Sequence, residues 1–450
     1  MTLAQTGFSV RSTNQFSLLR TQRFAPYFAT QCLGALNDNL LRNGLVMLVT
    51  FGLLPNMGST PSILANILGA VFILPFVLFS SVAGQLADRA DKSRLLQSIK
   101  LSELGLMAVA CAMLWWQTTL GLIVLVFAMG LQSTMFGPVK YAILPDLVRR
   151  SELTGANGLV EGGTYLAIII GLYAGGFFAS LGDDSRAGLG VALLVVAAVG
   201  YGTSRAIPKV AAADPTLQID FNLWRHSRKV VGFSRERRDV FAAILALSWF
   251  WTIGFIVLAQ LPGLSADVLR GTPQLANTLL VCFAVGIGAG SLLCEKLSSG
   301  DVDTALWLVP VGALGLTLFT ADIGLGLVHV NSSETTNLAS FIQSPGNWRL
   351  LADLTFIGLS GGLFSVPLYS MIQDRTRSTR RSQVIAANNI LNSVAMMIGA
   401  LAATALLVVG AGITDLYLLC AIVNTVIVTA IAMTNREFAE EIWRTLRRKR

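Results

Sequence analysis

The chain has 450 residues, of which 54% are hydrophobic and 13% charged, with a formal net charge of +8 and a mean hydropathy of +0.65. A soluble globular domain of this length does not carry so few charges. The five cysteines, an odd number lying inside apolar stretches without metal-ligand spacing, argue against a disulfide framework and against a metal centre.

Apolar stretches of about 20 residues, each long enough to cross the hydrocarbon layer, recur along the chain. They predict twelve spans near 27–54, 62–86, 97–116, 120–145, 156–181, 187–207, 239–262, 272–296, 304–328, 350–373, 384–410 and 413–434. Continuous apolar runs exclude barrel strands, which alternate apolar and polar residues over about ten positions. The expected fold class is therefore an all-α polytopic membrane protein.

The polar tail 1–26 holds no cleavable signal pattern, so the first span is expected to target the chain. That span interrupts its own apolar run with FATQCLGALNDNLLRN (28–43), which brings in Gln31, Asn37, Asp38, Asn39, Arg42 and Asn43. An ionised carboxylate and a guanidinium at membrane depth are costly unless they pair or line a wet cavity. Asp38 and Arg42 are four residues apart and share a helix face. Two readings follow: a lock between helices, or a site for an ion or polar headgroup.

After the second span comes GQLADRADKSR (84–94), in which Gly84, Asp88, Arg89 and Arg94 place a carboxylate and a basic cluster at a helix end. These groups are expected to pair with neighbouring helices and hold one conformation closed, a gating role. Lys140 lies in the fourth span, and Asn157 and Glu161 in the fifth, where Gly162, Gly171 and Gly175 permit close helix packing. The segment 208–238 divides the spans into sets at 27–207 and 239–434. Within it, FNLWRHSRKVVGF has the pattern of an interfacial amphipathic helix and contains His226. Neither His226 nor His329, the only histidines, joins a nucleophile or acid–base set, and no GxxxxGK[ST] loop occurs. Hydrolytic chemistry and ATP-driven work by this chain are disfavoured, and no cofactor is expected. The tail 435–450 is basic and suits anionic headgroups.

With twelve spans both termini share one side, which carries 28 of the 33 Lys and Arg residues against three on the other side and two within spans. This asymmetry predicts cytoplasmic termini and accounts for the basic balance without nucleic acid.

The two sets resemble each other. Phe136, Tyr141 and Asp146 of MFGPVKYAILPDL (135–147) align with Phe364, Tyr369 and Asp374 of LFSVPLYSMIQDR (363–375), and GANGLVEGG (155–163) aligns with AANNILNSV (386–394), matching Asn157 to Asn388. Lys140 then aligns with Leu368 and Glu161 with Asn392, so the ionisable groups sit in the first half. Two parallel six-helix repeats resemble the architecture of the major facilitator superfamily. The 84–94 loop is similar to that superfamily's loop motif through Gly84, Leu86, Asp88 and Arg89, departing at Asp91 where glycine is usual. The equivalent stretch GSLLCEKLSSGD (290–301) is a degraded copy.

A narrower resemblance is to the bacterial lysophospholipid transporters, carried by TQCLGALNDNLLRN (30–43), GQLADRADKSRLLQ (84–97) and FGPVKYAILPDLVRRSELTGANGLVEGGTYLAIIIG (136–171). It implies movement of lysophospholipids, particularly lysophosphatidylethanolamine, to the cytoplasmic leaflet of the bacterial inner membrane. A separate acyltransferase is the implied partner, with membrane lipids as surroundings and a monomer as the default state. The implied headgroup is zwitterionic. Asp38 would take its ammonium and Lys140 or Arg42 its phosphate. Gln31, Asn37, Asn39, Asn157, Asn388, Asn389 and Asn392 would supply neutral donors and acceptors. Lys140 and Glu161 have a second reading, as a structural pair between the fourth and fifth spans. The alternative function is a proton-coupled exporter of drugs or small solutes, with Asp38 or Glu161 carrying the proton.

Overall fold

The computed structural model describes residues 14–50, 61–326 and 338–434. His329 and the basic tail 435–450 lie outside the described residues, as do residues 1–13. Among those described, twelve long helices follow one another: α1 (Ala25–Thr50), α2 (Pro61–Arg89), α3 (Lys92–Trp116), α4 (Thr119–Ala142), α5 (Leu153–Ala179), α6 (Ser185–Arg205), α7 (Arg238–Gly263), α8 (Pro273–Ser298), α9 (Leu308–Gly326), α10 (Trp348–Arg375), α11 (Arg381–Val408) and α12 (Ile413–Thr434). A shorter linker helix, Leu223–Ser234, lies between α6 and α7. Eleven of the long helices are long and apolar enough to cross a membrane. The exception is α1, whose Asn37, Asp38, Asn39 and Arg42 interrupt its apolar run.

Helices are the form that satisfies every backbone group within one segment, which is what hydrocarbon requires. Their outer faces carry the exposed apolar side chains expected against lipid, among them Phe177, Val195, Leu401, Val408 and Ile422. The chain is a multi-pass membrane protein.

Packing repeats between the two halves. In the first, α1 packs on α5, α2 on α4, and α3 on both α4 and α6. In the second, α7 packs on α11, α8 on α10, and α9 on both α10 and α12, the same pairs displaced by six helices. The bundles meet through α2 against α11 and α5 against α8, contacts that exchange when the halves are swapped. Glycine sets one of the repeated approaches. A Cβ at Gly130 would lie 2.3 Å from the Phe72 carbonyl oxygen, and one at Gly358 would lie 2.2 Å from that of Phe283. No larger residue fits either position without moving a neighbouring helix.

The third span begins earlier than expected. Asp91 accepts a hydrogen bond from Arg94 N and caps α3, so the helix starts at Lys92. Lys100 is fully buried inside the first bundle.

The linker is not a slack tether. Its backbone is bound to the ends of α2 and α3: Gln85 receives a bond from Asp220 N (2.7 Å) and donates to its carbonyl (3.1 Å), Asp214 N donates to the Asp88 carbonyl (2.8 Å) and Lys92 N to that of Val210 (3.0 Å). The linker helix is capped by Asn222 and turns His226, Val230 and Ser234 inward, one side chain per turn. His226 is 2% exposed. Burial, and then the neighbouring Lys229, push its ring below the usual histidine range, while Asp220 and Gln383 act in the opposite sense and Arg225 adds to the depression. A docked imidazole that resists protonation favours docking above the free value near 6.5. That contribution is lost as pH falls below about 6.5, until the docked ring itself protonates. Protection across residues 223–234, measured as amide exchange corrected for its intrinsic pH dependence, is therefore expected to fall on acidification, and His226→Gln should flatten the response. Protection that is independent of pH in both proteins would contradict this.

Candidate functional site

The polar residues of α1 divide between two environments. Asn37 is fully buried and donates to Glu103 Oε1 on α3 at 3.0 Å. Glu103 in turn pairs with Lys100 one turn earlier and accepts from Gln132 Nε2 on α4 at 3.1 Å. Lys100 and Glu103 are 0% and 1% exposed, so their charges neutralise each other away from water. Asp38, one position on from Asn37, is only partly buried and accepts from Ser133 Oγ on α4 at 2.7 Å.

Arg42 is also partly exposed. Its Nη2 donates to Asn39 Oδ1 at 2.9 Å, and its guanidinium lies 5.8 Å from the centre of the Phe72 ring. Asn39 Nδ2 returns to the Ala35 carbonyl at 2.8 Å. Among the described residues no ion pair joins Asp38 to Arg42, although their spacing sets both on one face. The two charges attract through space without a direct contact.

A second arm runs through α4 and α5. Lys140 Nζ donates to Thr164 Oγ1 at 3.1 Å, and Thr164 donates towards Gln31 Oε1 at 3.0 Å and the Val160 carbonyl at 2.7 Å. Gln31 is buried, with its amide on Cys32 Sγ at 2.9 Å. Tyr27 OH reaches the Lys140 carbonyl at 2.6 Å, fixing α1 against α4 at this level. Glu161 is 3% exposed and accepts from Tyr141 OH. Lys140 and Glu161 each have a hydroxyl partner of their own, and among the described residues no ion pair joins them directly, although the Glu161 carboxylate acts on the Lys140 ammonium through space. Lys140 Nζ sits 5.1 Å from the Tyr141 ring centre and remains partly exposed.

The bundles are joined at the end that carries the basic loops. Tyr141 and Tyr369, aligned by the repeat, stack with parallel rings whose centres are 4.6 Å apart, so the pseudo-two-fold axis passes between them. Trp251 Nε1 donates to Tyr369 OH at 2.9 Å. Further towards that end the aspartates matched by the repeat exchange partners across the axis. Asp374 receives a bidentate pair from Arg150 (2.8 and 3.0 Å), and Asp146 receives Arg381 at 3.5 Å and Lys92 at 2.8 Å. Arg150 also reaches Asp303 at 2.9 Å.

The loop residues contribute unequally to this closure. Asp88 is buried and accepts from the first amides of α11, Ser382 N (3.1 Å) and Gln383 N (3.3 Å), with Gln383 Nε2 at 3.1 Å. A carboxylate at a helix N-terminus meets both unpaired N–H groups and the positive end of the helix dipole. Arg89 and Arg94 are exposed, and Lys92 supplies the buried cation instead. Gly84 lets α2 touch α11: a Cβ there would lie 2.7 Å from Ala386 Cβ and 3.0 Å from Gln383 Cα. Gly84→Ala is accordingly expected to loosen the basic end, read as faster amide exchange over residues 381–390. Unchanged exchange would show that the contact does not hold the bundles.

The asparagines assigned to a common site from sequence separate in space. Asn157 is fully buried and makes a reciprocal pair with Gln373 at 2.8 and 3.0 Å, with Ser370 Oγ at 3.2 Å, so it belongs to the contact between bundles. Asn392 accepts from Ser248 Oγ at 2.8 Å within the second bundle. Asn388 is buried beside the Tyr369 hydroxyl with no hydrogen bond of normal geometry, and Asn389 is partly exposed opposite Gly137. Sequence reasoning missed Glu103, Lys100, Gln132, Ser133 and Thr164. Glu103 was the readable signal, an acidic residue inside the expected third span with a lysine three positions before it.

Two six-helix repeats joined by α2–α11 and α5–α8 define the class. Residues 29–332 match the Major Facilitator Superfamily, and the chain belongs to that family. It is a transporter of that type. Among named relatives, the "Lysophospholipid transporter LplT" of Cronobacter sakazakii is 28% identical over 388 residues, covering 82% of this chain and 84% of the relative. That of Citrobacter koseri is 29% identical over 392 residues, covering 82% and 85%. Among solved structures, the human organic anion transporter MFSD10 (TETRAN) superposes with a TM-score of 0.70 at 13% identity, covering 91% of this chain and 99% of that one. A bacterial homologue of the iron transporter ferroportin in an outward-facing state gives 0.63 at 15% identity, covering 90% and 99%. These two likenesses concern the fold alone.

Proposed function

We propose that this transporter moves lysophospholipids, with lysophosphatidylethanolamine as the leading substrate, from the outer to the inner leaflet of the bacterial inner membrane, where a separate acyltransferase restores the missing chain. The observation that carries the reading is the coexistence of partly exposed Asp38, Arg42 and Lys140 on α1 and α4, none of them in a direct ion pair with another among the described residues. A zwitterionic headgroup needs both signs of charge at such a place: a carboxylate for the ammonium and a cation for the phosphate. Similarity to the lysophospholipid transporters over 82% of the chain supports the substrate class. In this reading the basic end is cytoplasmic, in keeping with the distribution of Lys and Arg. The ion pairs and the tyrosine stack then close the cytoplasmic side, leaving Asp38, Arg42 and Lys140 to receive headgroups from the opposite leaflet. The protein works as a monomer and needs no cofactor.

Binding by the purified protein tests this. Lysophosphatidylethanolamine should raise the thermal midpoint in detergent in a saturable manner, and the diacyl lipid should raise it far less. Equal stabilisation by both lipids, or none by either, would remove the proposal.

A further inference from the structure

The linker helix Leu223–Ser234 has an outer face that neither bundle covers. Phe221 and Trp224 are 74% and 73% exposed, and Arg225, Arg228, Lys229 and Arg235 are exposed with them. Arg225 is neutralised by Asp220 at 2.9 Å. The other three lie against rings instead: Arg228 at 5.7 Å from Trp224, Lys229 at 5.8 Å from Phe233 and Arg235 at 5.2 Å from Phe241. Among the described residues no carboxylate lies in ion-pair range of any of them. The face is thus aromatic, and three of its four cations lack a carboxylate partner in ion-pair range among the described residues.

Its placement matters as much as its charge. On the inner side Val230 packs with Ala387 and Ile390, and Val231 and Phe233 join that cluster with Val394. These α11 residues lie about two to four turns beyond the helix start at Arg381, roughly 9–20 Å along its axis at 1.5 Å per residue. The linker helix therefore runs beside the flank of α11 and α2 rather than hanging beneath the bundles. Exposed aromatic rings with adjacent cations are the side chains that partition into a membrane interface, and each cation near an anionic surface strengthens the attachment.

We propose that the outer face of this helix is seated in an anionic headgroup layer, Trp224 and Phe221 entering the interface while Arg228 and Lys229 hold lipid phosphates. Because the same linker is tied to α2 through Gln85 and Asp220, seating it favours the state in which the basic end is closed. The inference does not depend on which substrate is carried.

The test uses the full chain in liposomes of phosphatidylcholine, with or without phosphatidylglycerol. The tryptophan emission of Trp224→Phe is subtracted from that of the unaltered protein, which isolates Trp224. Its signal should be quenched by lipids brominated near the headgroup and shielded from aqueous acrylamide, more strongly when phosphatidylglycerol is present. The phosphatidylglycerol enhancement should be lost in the Arg228→Gln, Lys229→Gln double variant and should fade at high salt. A Trp224 signal open to acrylamide and untouched by brominated lipid in both membranes would overturn the proposal and leave the face to a soluble acidic partner. An enhancement that survives the double variant would equally overturn it.

Discussion

Asp38→Asn is expected to lower lysolipid transport by about 10- to 100-fold at subsaturating substrate while the protein remains folded. A hydrogen bond to a charged group contributes about 1.5–3 kcal/mol, and each 1.4 kcal/mol is tenfold in an equilibrium. The substitution is chosen because it removes only the charge. An asparagine carbonyl can still accept from Ser133 Oγ, which now bonds Asp38 at 2.7 Å, so the bridge from α1 to α4 survives. The charged atom is partly exposed and has no cation within ion-pair distance among the described residues, so no buried partner is stranded. Initial rates over a range of lysolipid concentrations check the result, the loss falling mainly on apparent affinity. A variant that fails to fold would return Asp38 to the role of a helix lock, and a variant with unchanged kinetics would remove it from the substrate site.

The largest effect on stability is expected at Glu103. Glu103→Ala leaves the Lys100 ammonium buried and uncompensated, and also strips an acceptor from Asn37 and from Gln132. Removing one member of a buried ion pair costs about 3–5 kcal/mol, whereas replacing both by apolar groups of similar size is often neutral. Denaturation of the purified protein should therefore show a large loss for Glu103→Ala and substantial recovery in the double variant Lys100→Met, Glu103→Leu. If the single variant were as stable as the parent, α1, α3 and α4 would not be held together by this network. If the double variant were no better than the single, the cost would lie in lost packing rather than in the stranded charge.

Much of this architecture was legible in the sequence because a membrane restricts the choices. Long apolar runs have only one way to satisfy their backbone, so the all-helical membrane fold followed from hydropathy. The repeat was legible as well, since Tyr141 and Tyr369 fall at the same place in matching stretches. Their stacking was not, because it depends on where the axis between the halves passes. Spacing along α1 placed Asp38 and Arg42 on one face, yet the neighbours of that face come from α4 and α2, and Ser133 and Phe72 are what they meet. The same limit applies to Lys140 and Glu161, whose hydroxyl partners Thr164 and Tyr141 depend on how α4 and α5 pack. The start of α3 was not legible for a local reason: the capping aspartate Asp91 begins the helix at Lys92, before the apolar run does.

The most direct measurement is movement between leaflets. Purified protein in liposomes, given labelled lysophosphatidylethanolamine in one leaflet and the labelled diacyl lipid as a control, should carry the lyso form across selectively, with Asp38→Asn slowed as above. Lyso lipid crossing no faster than in protein-free liposomes would contradict the lysolipid account. The charged residues of α1 and α4 would then have to be read as serving another solute.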